Sequence, residues 1–285
     1  MAALHYYPTT SAMGAAAASA CVSALTAALK QSPTATLMIA TGNSQLPFYE
    51  ALAALSKSVP WSRVVVFHLD EYVGLPATHP ASFVRYLNER FVAALAPLAF
   101  HALDGAAADP AAEVARYSAL LAAHPRDVCC FGIGENGHLA FNVRRGAWPV
   151  PVARGAPTPT FTPNAPRPPP APPQDPPPVG GADFADPALV KIVALDEACR
   201  QQQVGEGHFP NLDAVPKTAF TVTIPAILSA KVLLCIVPEA RKAAIMRRAL
   251  REPVSEACPA TIVRTQRSAQ IFLDGGSGGW LMGSE

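Results

Sequence analysis

Proton transfer needs a group that titrates near neutral pH at the end of a rigid element, and His138 has that setting in this 285-residue chain. It lies in the stretch CCFGIGENGHLAFN, Cys129 to Asn142. The run Val128 to Phe131 has no polar alternation and predicts a strand covered on both faces. Gly132, Gly134 and Gly137 then let the backbone turn and pass close to a ligand. His138 follows the carboxyl end of that strand, where open α/β sheets place their ligands. On these residues alone, a loop histidine bonded only to its neighbours is an equal alternative.

A second candidate is the pair Asp70-Glu71, at the end of the buried strand Val64 to Phe67. Adjacent carboxylates there are costly unless solvated or used. Neighbours on a strand face opposite ways, so Asp70 is assigned to a pocket and Glu71 to pairing elsewhere. A simple capping role is the competing reading. A third is Thr41-Gly42-Asn43-Ser44, between a strand at Thr36 to Ala40 and a helix from about Leu46 to Ser56. Strand, small polar turn and helix make a phosphate-binding arrangement, in which N–H groups and the helix dipole face an anion. An ordinary capped turn has the same local pattern.

The elements that must position these groups alternate between strand and helix. The first helix opens at Pro8-Thr9-Thr10-Ser11 and runs to about Lys30. Further helices are expected at Pro80 to Ala94, Pro110 to Ala123, Asp196 to Gln203, Pro225 to Ser229 and Glu239 to Leu250. Strands are expected at His5 to Tyr7, Ala188 to Ala194, Ala219 to Ile224, Val232 to Val237 and Gln270 to Leu273. The pattern predicts a single α/β domain: a doubly wound, mostly parallel, Rossmann-like sheet with helices on both faces. Residues 1–142 and 175–274 make up that domain. Residues 143–174 are a proline-rich insert expected to be disordered, and 275–285 a flexible tail. Pro149 to Pro178 hold nearly half of the chain's 30 prolines.

Half of the residues are hydrophobic and the formal net charge is +1, which argues against a nucleic-acid or membrane surface as the main partner. No apolar run is expected to reach membrane-spanning length. The six cysteines show no metal-type pairing and read as free thiols in a reducing compartment, so the expected location is cytoplasmic.

Five stretches in order resemble the glucosamine-6-phosphate deaminase/6-phosphogluconolactonase superfamily. They are ATGNSQLPFYEAL at Ala40, FHLDEYVGLPATHPASF at Phe67, FGIGENGHLAFN at Phe131, LDEACRQQQ at Leu195 and VPKTAFTVTIPAILSAK at Val215. The DEYVGLP and GHLAFN forms look like the deaminase branch. The resemblance implies that an aminosugar phosphate opens, isomerises from aldose to ketose and loses ammonia. It implies His138 as acid-base at the ring oxygen and Asp70 as the base moving a proton between C2 and C1. It implies a phosphate site at Thr41, Gly42, Asn43 and Ser44 with Arg200 and Lys242. Arg offers a fork and Lys a point charge.

Two departures accompany the resemblance. Asn136 stands where the deaminase turn commonly has Asp, and Val143 stands where a second relay acid follows the Phe-Asn pair. Removing 143–174 places Asp175 directly after Phe141-Asn142. That segment is a whole number of codons, begins with a Val codon (GT) and ends with Gln (CAG permitted), the boundary letters of an intron. A retained intron is therefore the expected origin, and Asp175 the expected relay acid; a genuine loop is the alternative.

No cofactor and no metal is expected. The expected partner is a small-molecule sugar phosphate, and a homo-oligomer is left open. The alternatives to a deaminase/isomerase are a 6-phosphogluconolactonase-type hydrolase and a non-catalytic sugar-phosphate-binding protein.

Overall fold

Seven short apolar runs line up as parallel neighbours in one sheet, in the order β1-β10-β9-β6-β2-β3-β5. They are β1 Ala3–Tyr6, β2 Ala35–Ile39, β3 Val64–His68, β5 Ala99–His101, β6 Val128–Phe131, β9 Val232–Val237 and β10 Ala269–Leu273. The computed structural model describes residues 1–143 and 181–283. The central strands β2, β3 and β6 are buried at every residue, which is why they read as unbroken apolar runs.

Alternate residues feed two cores. Met38, Phe67, Cys129 and Phe131 face one cluster, and Leu37, Ile39, Val66 and Cys130 face the other. Helices α1 (Thr10–Gln31) and α2 (Leu46–Ala54) cover the second face. α3 (Phe83–Leu87) joins them and passes through a π-helical turn, Asn88–Val92, into α4 (Ala93–Leu95). α5 (Pro110–Ala123), α7 (Ile224–Leu228) and α8 (Ala243–Arg251) cover the first face. α6 (Glu197–Gly205) and α9 (Gly275–Gly278) lie toward the carboxyl ends of the strands.

A second sheet departs from the expectation. β4 (Asp70–Tyr72), β8 (Thr218–Val222) and β7 (Val190–Ala194) form a separate antiparallel sheet in the order β4-β8-β7. An apolar run marks a buried strand but not its partner, so β7 and β8 looked like members of the main sheet. β4 was not expected at all, and it is the strand that carries Asp70.

Four further expectations are corrected. The helix expected from Pro80 begins at Phe83, because Ser82 is the cap and accepts from Arg85 N at 3.3 Å. The helix expected from Glu239 begins as a one-turn 3₁₀ helix, Ala240–Lys242, because Glu239 has φ 81°. The tail is folded through Leu281: Asp274 and Ser277 cap α9 reciprocally, and Ser277 and Gly278 are buried. α1, 22 residues with a window of mean hydropathy 1.6, is long and apolar enough to cross a membrane. Here its face of Met13, Ala17, Cys21 and Leu25 is buried in the core.

Val143 also falls on the folded side of the expected boundary. It is buried, and its carbonyl accepts from Ala182 N at 2.7 Å, so the described chain leaves and returns at one place. Asp175 lies outside the described residues.

Candidate active site

The carboxyl ends of β2, β3, β6 and β9 surround an open cleft. Thr41, Gly42, Asn43, Ser44, Asp70, His138 and Lys242 all line it. Sequence separation of about 200 residues is thus closed by the parallel sheet, as the open α/β rule requires.

The first wall is the turn after β2. Gly42 has φ 110°, a conformation that side chains rarely adopt, and it opens the 3₁₀ turn Asn43–Gln45 leading into α2. The positive end of the helical dipole therefore points at the cleft. Tyr86 fixes the turn by donating to Gly42 O at 2.9 Å, and Gln45 Nε2 ties it to Ile236 O on β9 at 3.2 Å.

The second wall is the turn after β6. Asn136 Oδ1 lies 3.2 Å from His138 N and 2.6 Å from His138 Nδ1. An amide oxygen only accepts, so Nδ1 carries the proton and Nε2 is left with its lone pair. A Cβ on Gly134 would meet the imidazole at 2.1 Å, so that backbone packs directly on the ring. Burial, then the Lys242 charge, push the His138 pKa down to about 4, against a smaller opposing effect of Glu206. The ring is neutral at neutral pH. Asn142 locks the end of the turn through Leu139 O at 2.9 Å and Val222 O at 2.8 Å.

The third wall is β4. Glu71 is fully buried and pairs away from the cleft, accepting from Ser82 Oγ at 2.7 Å, Val84 N at 2.9 Å and Tyr72 N at 2.9 Å. Asp70 faces the cleft instead, and its Oδ1 is buried without a hydrogen-bond partner. Burial, then the charge of Glu71, raise its pKa to about 8. A carboxyl that is half ionised near pH 8, with one oxygen unpartnered, is suited to take and return a proton.

Lys242 stands on the 3₁₀ turn after β9, buried, and its ammonium makes no ion pair within 4 Å among the described residues. Burial and then Arg241 lower its pKa. A buried cation with no direct ion pair, beside a helix start, is placed to receive an anion.

Arg200 is not brought to the cleft. Its guanidinium donates to the Leu212 carbonyl, and its Nε is buried without a partner. Later residues of the same segment reach the cleft instead: Gln202, Gln203, Glu206 and His208. Gln203 is held against β4 by the Tyr72 hydroxyl at 2.7 Å. Sequence reasoning passed over these four. The signal available was the polar run QQQVGEGH at the end of an expected helix, where a loop of that polarity sits beside strand ends.

The model of the glucosamine-6-phosphate isomerases/6-phosphogluconolactonase family matches residues 8–141. The chain is 31% identical over 250 residues to a glucosamine-6-phosphate deaminase of Pseudarthrobacter chlorophenolicus, covering 86% of this chain and 81% of that protein. It is 29% identical over 239 residues to the Lysinibacillus sphaericus deaminase, covering 84% and 89%. A solved monomeric glucosamine-6-phosphate deaminase superposes with a TM-score of 0.76 at 25% identity, over 97% of this chain and 99% of the other. A putative 6-phosphogluconolactonase of Neisseria gonorrhoeae shares the fold, with a TM-score of 0.68 at 17% identity over 96% and 100%.

Proposed function

Because the chain belongs to the glucosamine-6-phosphate isomerase/6-phosphogluconolactonase family, we propose that it is an aminosugar-phosphate deaminase/isomerase. It converts glucosamine 6-phosphate, or a related hexosamine 6-phosphate, and water to the ketose phosphate and ammonia. The observation that carries this reading is the meeting of Asp70 and His138 in one cleft, each with an unengaged proton-accepting atom.

The roles are those the family resemblance implies, and the charges lining the cleft support them. Lys242 and the turn 41–44 hold the phosphate. His138 Nε2 takes the proton of the anomeric hydroxyl and passes one to the ring oxygen, opening the ring. Asp70 removes the proton on C2 and returns it to C1 while one proton passes from the ammonium nitrogen to O1, which leaves a ketose iminium at C2. Water adds to that carbon, and ammonia departs. The reaction places the protein in carbohydrate metabolism, and six free, buried cysteines support a cytoplasmic location.

One observation favours a second reading. A neutral imidazole oriented by an amide, with Nε2 open, is also what a hydrolase needs to activate water on a lactone. The test is to incubate the protein with glucosamine 6-phosphate and with 6-phosphogluconolactone, following ammonia and acid release. Ammonia without faster lactone hydrolysis supports the deaminase; the reverse supports the hydrolase.

A further inference from the structure

The cleft holds a carboxylate that the steps above do not use. Glu206 stands just past the end of α6 and lines the same cleft as Asp70 and His138. Its Oε1 accepts from Gln202 Nε2 at 2.9 Å and from Arg241 at 3.0 Å. Among the described residues its Oε2 has only His208 Nε2, at 3.5 Å. A carboxylate offers about four acceptor positions, so Oε2 retains capacity.

The charges around it do not cancel. Arg241 is shared among Glu135 at 2.9 Å, Glu206 at 3.0 Å and Glu239 at 2.5 Å. One guanidinium faces three carboxylates. Burial alone would raise the Glu206 pKa, but the hydrogen bonds from His208, Gln202 and Arg241 outweigh it and hold the group at about 2. Arg241, Glu135 and Glu239 do not line the cleft, so within it the ionised Glu206 faces the single cation Lys242. A phosphate dianion that engages Lys242 leaves Glu206 without a cation inside the cleft. A ligand that also brings an ammonium group supplies one. Asp70 Oδ1, buried and unpartnered in the same cleft, is a second acceptor with nothing to bind.

We infer that Glu206 is a specificity-determining residue, receiving the ammonium group of a 2-amino sugar phosphate in a subsite that disfavours the 2-hydroxy sugar. The inference rests on the aminosugar-phosphate reading and deepens it. Selection follows from both halves of the arrangement: a charge-assisted bond to the amine, and repulsion of a ligand that carries phosphate alone.

Open-chain reduced analogues test this without turnover, because they lack the carbonyl that the reaction needs. The binding of 2-amino-2-deoxyglucitol 6-phosphate and glucitol 6-phosphate is measured by calorimetry on the wild type and on Glu206→Gln. The wild type should prefer the amino analogue by ~10- to 100-fold, the range for a hydrogen bond to a charged group. Glu206→Gln should erase that preference while holding the hydroxy analogue as well as the wild type, or better. Equal binding of both analogues by the wild type overturns the inference. So does a preference that survives in Glu206→Gln, or a loss that is the same for both ligands. If Glu206→Gln does not fold, the wild-type comparison decides alone. Should the preference be present and depend on Glu206 while glucosamine 6-phosphate yields no ammonia, the subsite stands and the deaminase reading falls.

Discussion

Asp274 accepts the backbone N–H of Glu239 on both carboxylate oxygens, at 3.1 Å each. Glu239 has φ 81° and ψ 141°. That region is close to glycine-only and costs ~1 to 3 kcal/mol, so the surroundings must hold it. Asp274 does so while also accepting from Thr10 Oγ1 at 2.5 Å and Ser277 N at 2.8 Å. One carboxylate thus joins the start of α1, the folded tail and the turn that carries Arg241 and Lys242. Glu239 uses its side chain as well, accepting from Ser44 Oγ at 3.2 Å. Asp274→Ala should lower the unfolding free energy by ~2 to 4 kcal/mol, since several buried donors lose their acceptor. Glu239→Gly should cost less in that background than in the wild type. Urea melts of the four proteins measure both. A loss below ~1 kcal/mol for Asp274→Ala, within the range of an ordinary surface change, would show that the turn holds itself.

Asp70 predicts an opposition between stability and activity. Its folded pKa of about 8 lies above the unfolded value of 3.8, mainly through burial. The neutral form is the one that folding favours. Its contribution is therefore complete below pH ~4 and is lost as pH rises through about 8. Asp70→Asn should then melt higher than the wild type above pH 8, by on the order of a few kcal/mol, while being inactive. In the wild type, kcat/KM should rise as pH passes through about 8, because the base must be ionised. A variant that melts lower than the wild type at pH 8.5 would mean that the carboxylate has a partner in the folded protein.

Lys242 and Arg200 separate cleanly. Lys242→Ala should raise the KM for the phosphorylated sugar by the equivalent of ~1.5 to 3 kcal/mol, with little change in kcat. Arg200→Ala should leave KM near the wild-type value, because that guanidinium serves the Leu212 carbonyl. Initial-rate kinetics on the two variants decide it. A larger KM effect at Arg200 than at Lys242 would reverse the assignment.

The segment 143–174 remains a proposed retained intron. The carbonyl of Val143 meets Ala182 N at 2.7 Å, so the folded chain is already closed across this gap. Deleting Val143 to Gln174 keeps a backbone carbonyl at that point and puts Asp175 beside Asn142. The shortened protein should be at least as stable, because a long loop adds only ~1 to 2 kcal/mol of closure cost, and more active. Sequencing transcripts tests the origin. If every transcript holds the segment and its deletion abolishes turnover, the loop is functional.

The parts of this architecture that were legible beforehand are those written in short-range chemistry. β2, β3, β6 and β9 are unbroken apolar runs, and Thr9 is an ordinary cap at the expected opening of α1. The glycine turns around Gly42 and Gly137 mark bends that other residues rarely adopt. What escaped is set at long range. The pairing of β4 with β8 depends on residues about 150 positions apart. Arg200 carries the right charge, but its helix turns it toward Leu212, and the cleft receives Glu206 and His208 from the following turn. The tail looked frayed because glycine usually frays. It folds because Asp274 caps it and Gly276 packs against the Glu239-Ala240 peptide, where a Cβ would lie 2.6 Å from Ala240 N.

The central claim is that Asp70, in one cleft with His138, moves the proton that turns an aminosugar phosphate into a ketose phosphate. The direct measurement is ammonia and ketose phosphate release from glucosamine 6-phosphate by the wild type and by Asp70→Asn, side by side at pH 8. The wild type should release both in equal amounts. The variant, with an unchanged circular dichroism spectrum, should be slower by ~10²- to 10⁴-fold, the contribution typical of a positioned general base. No ammonia from the wild type, or comparable ammonia from the variant, would contradict the account.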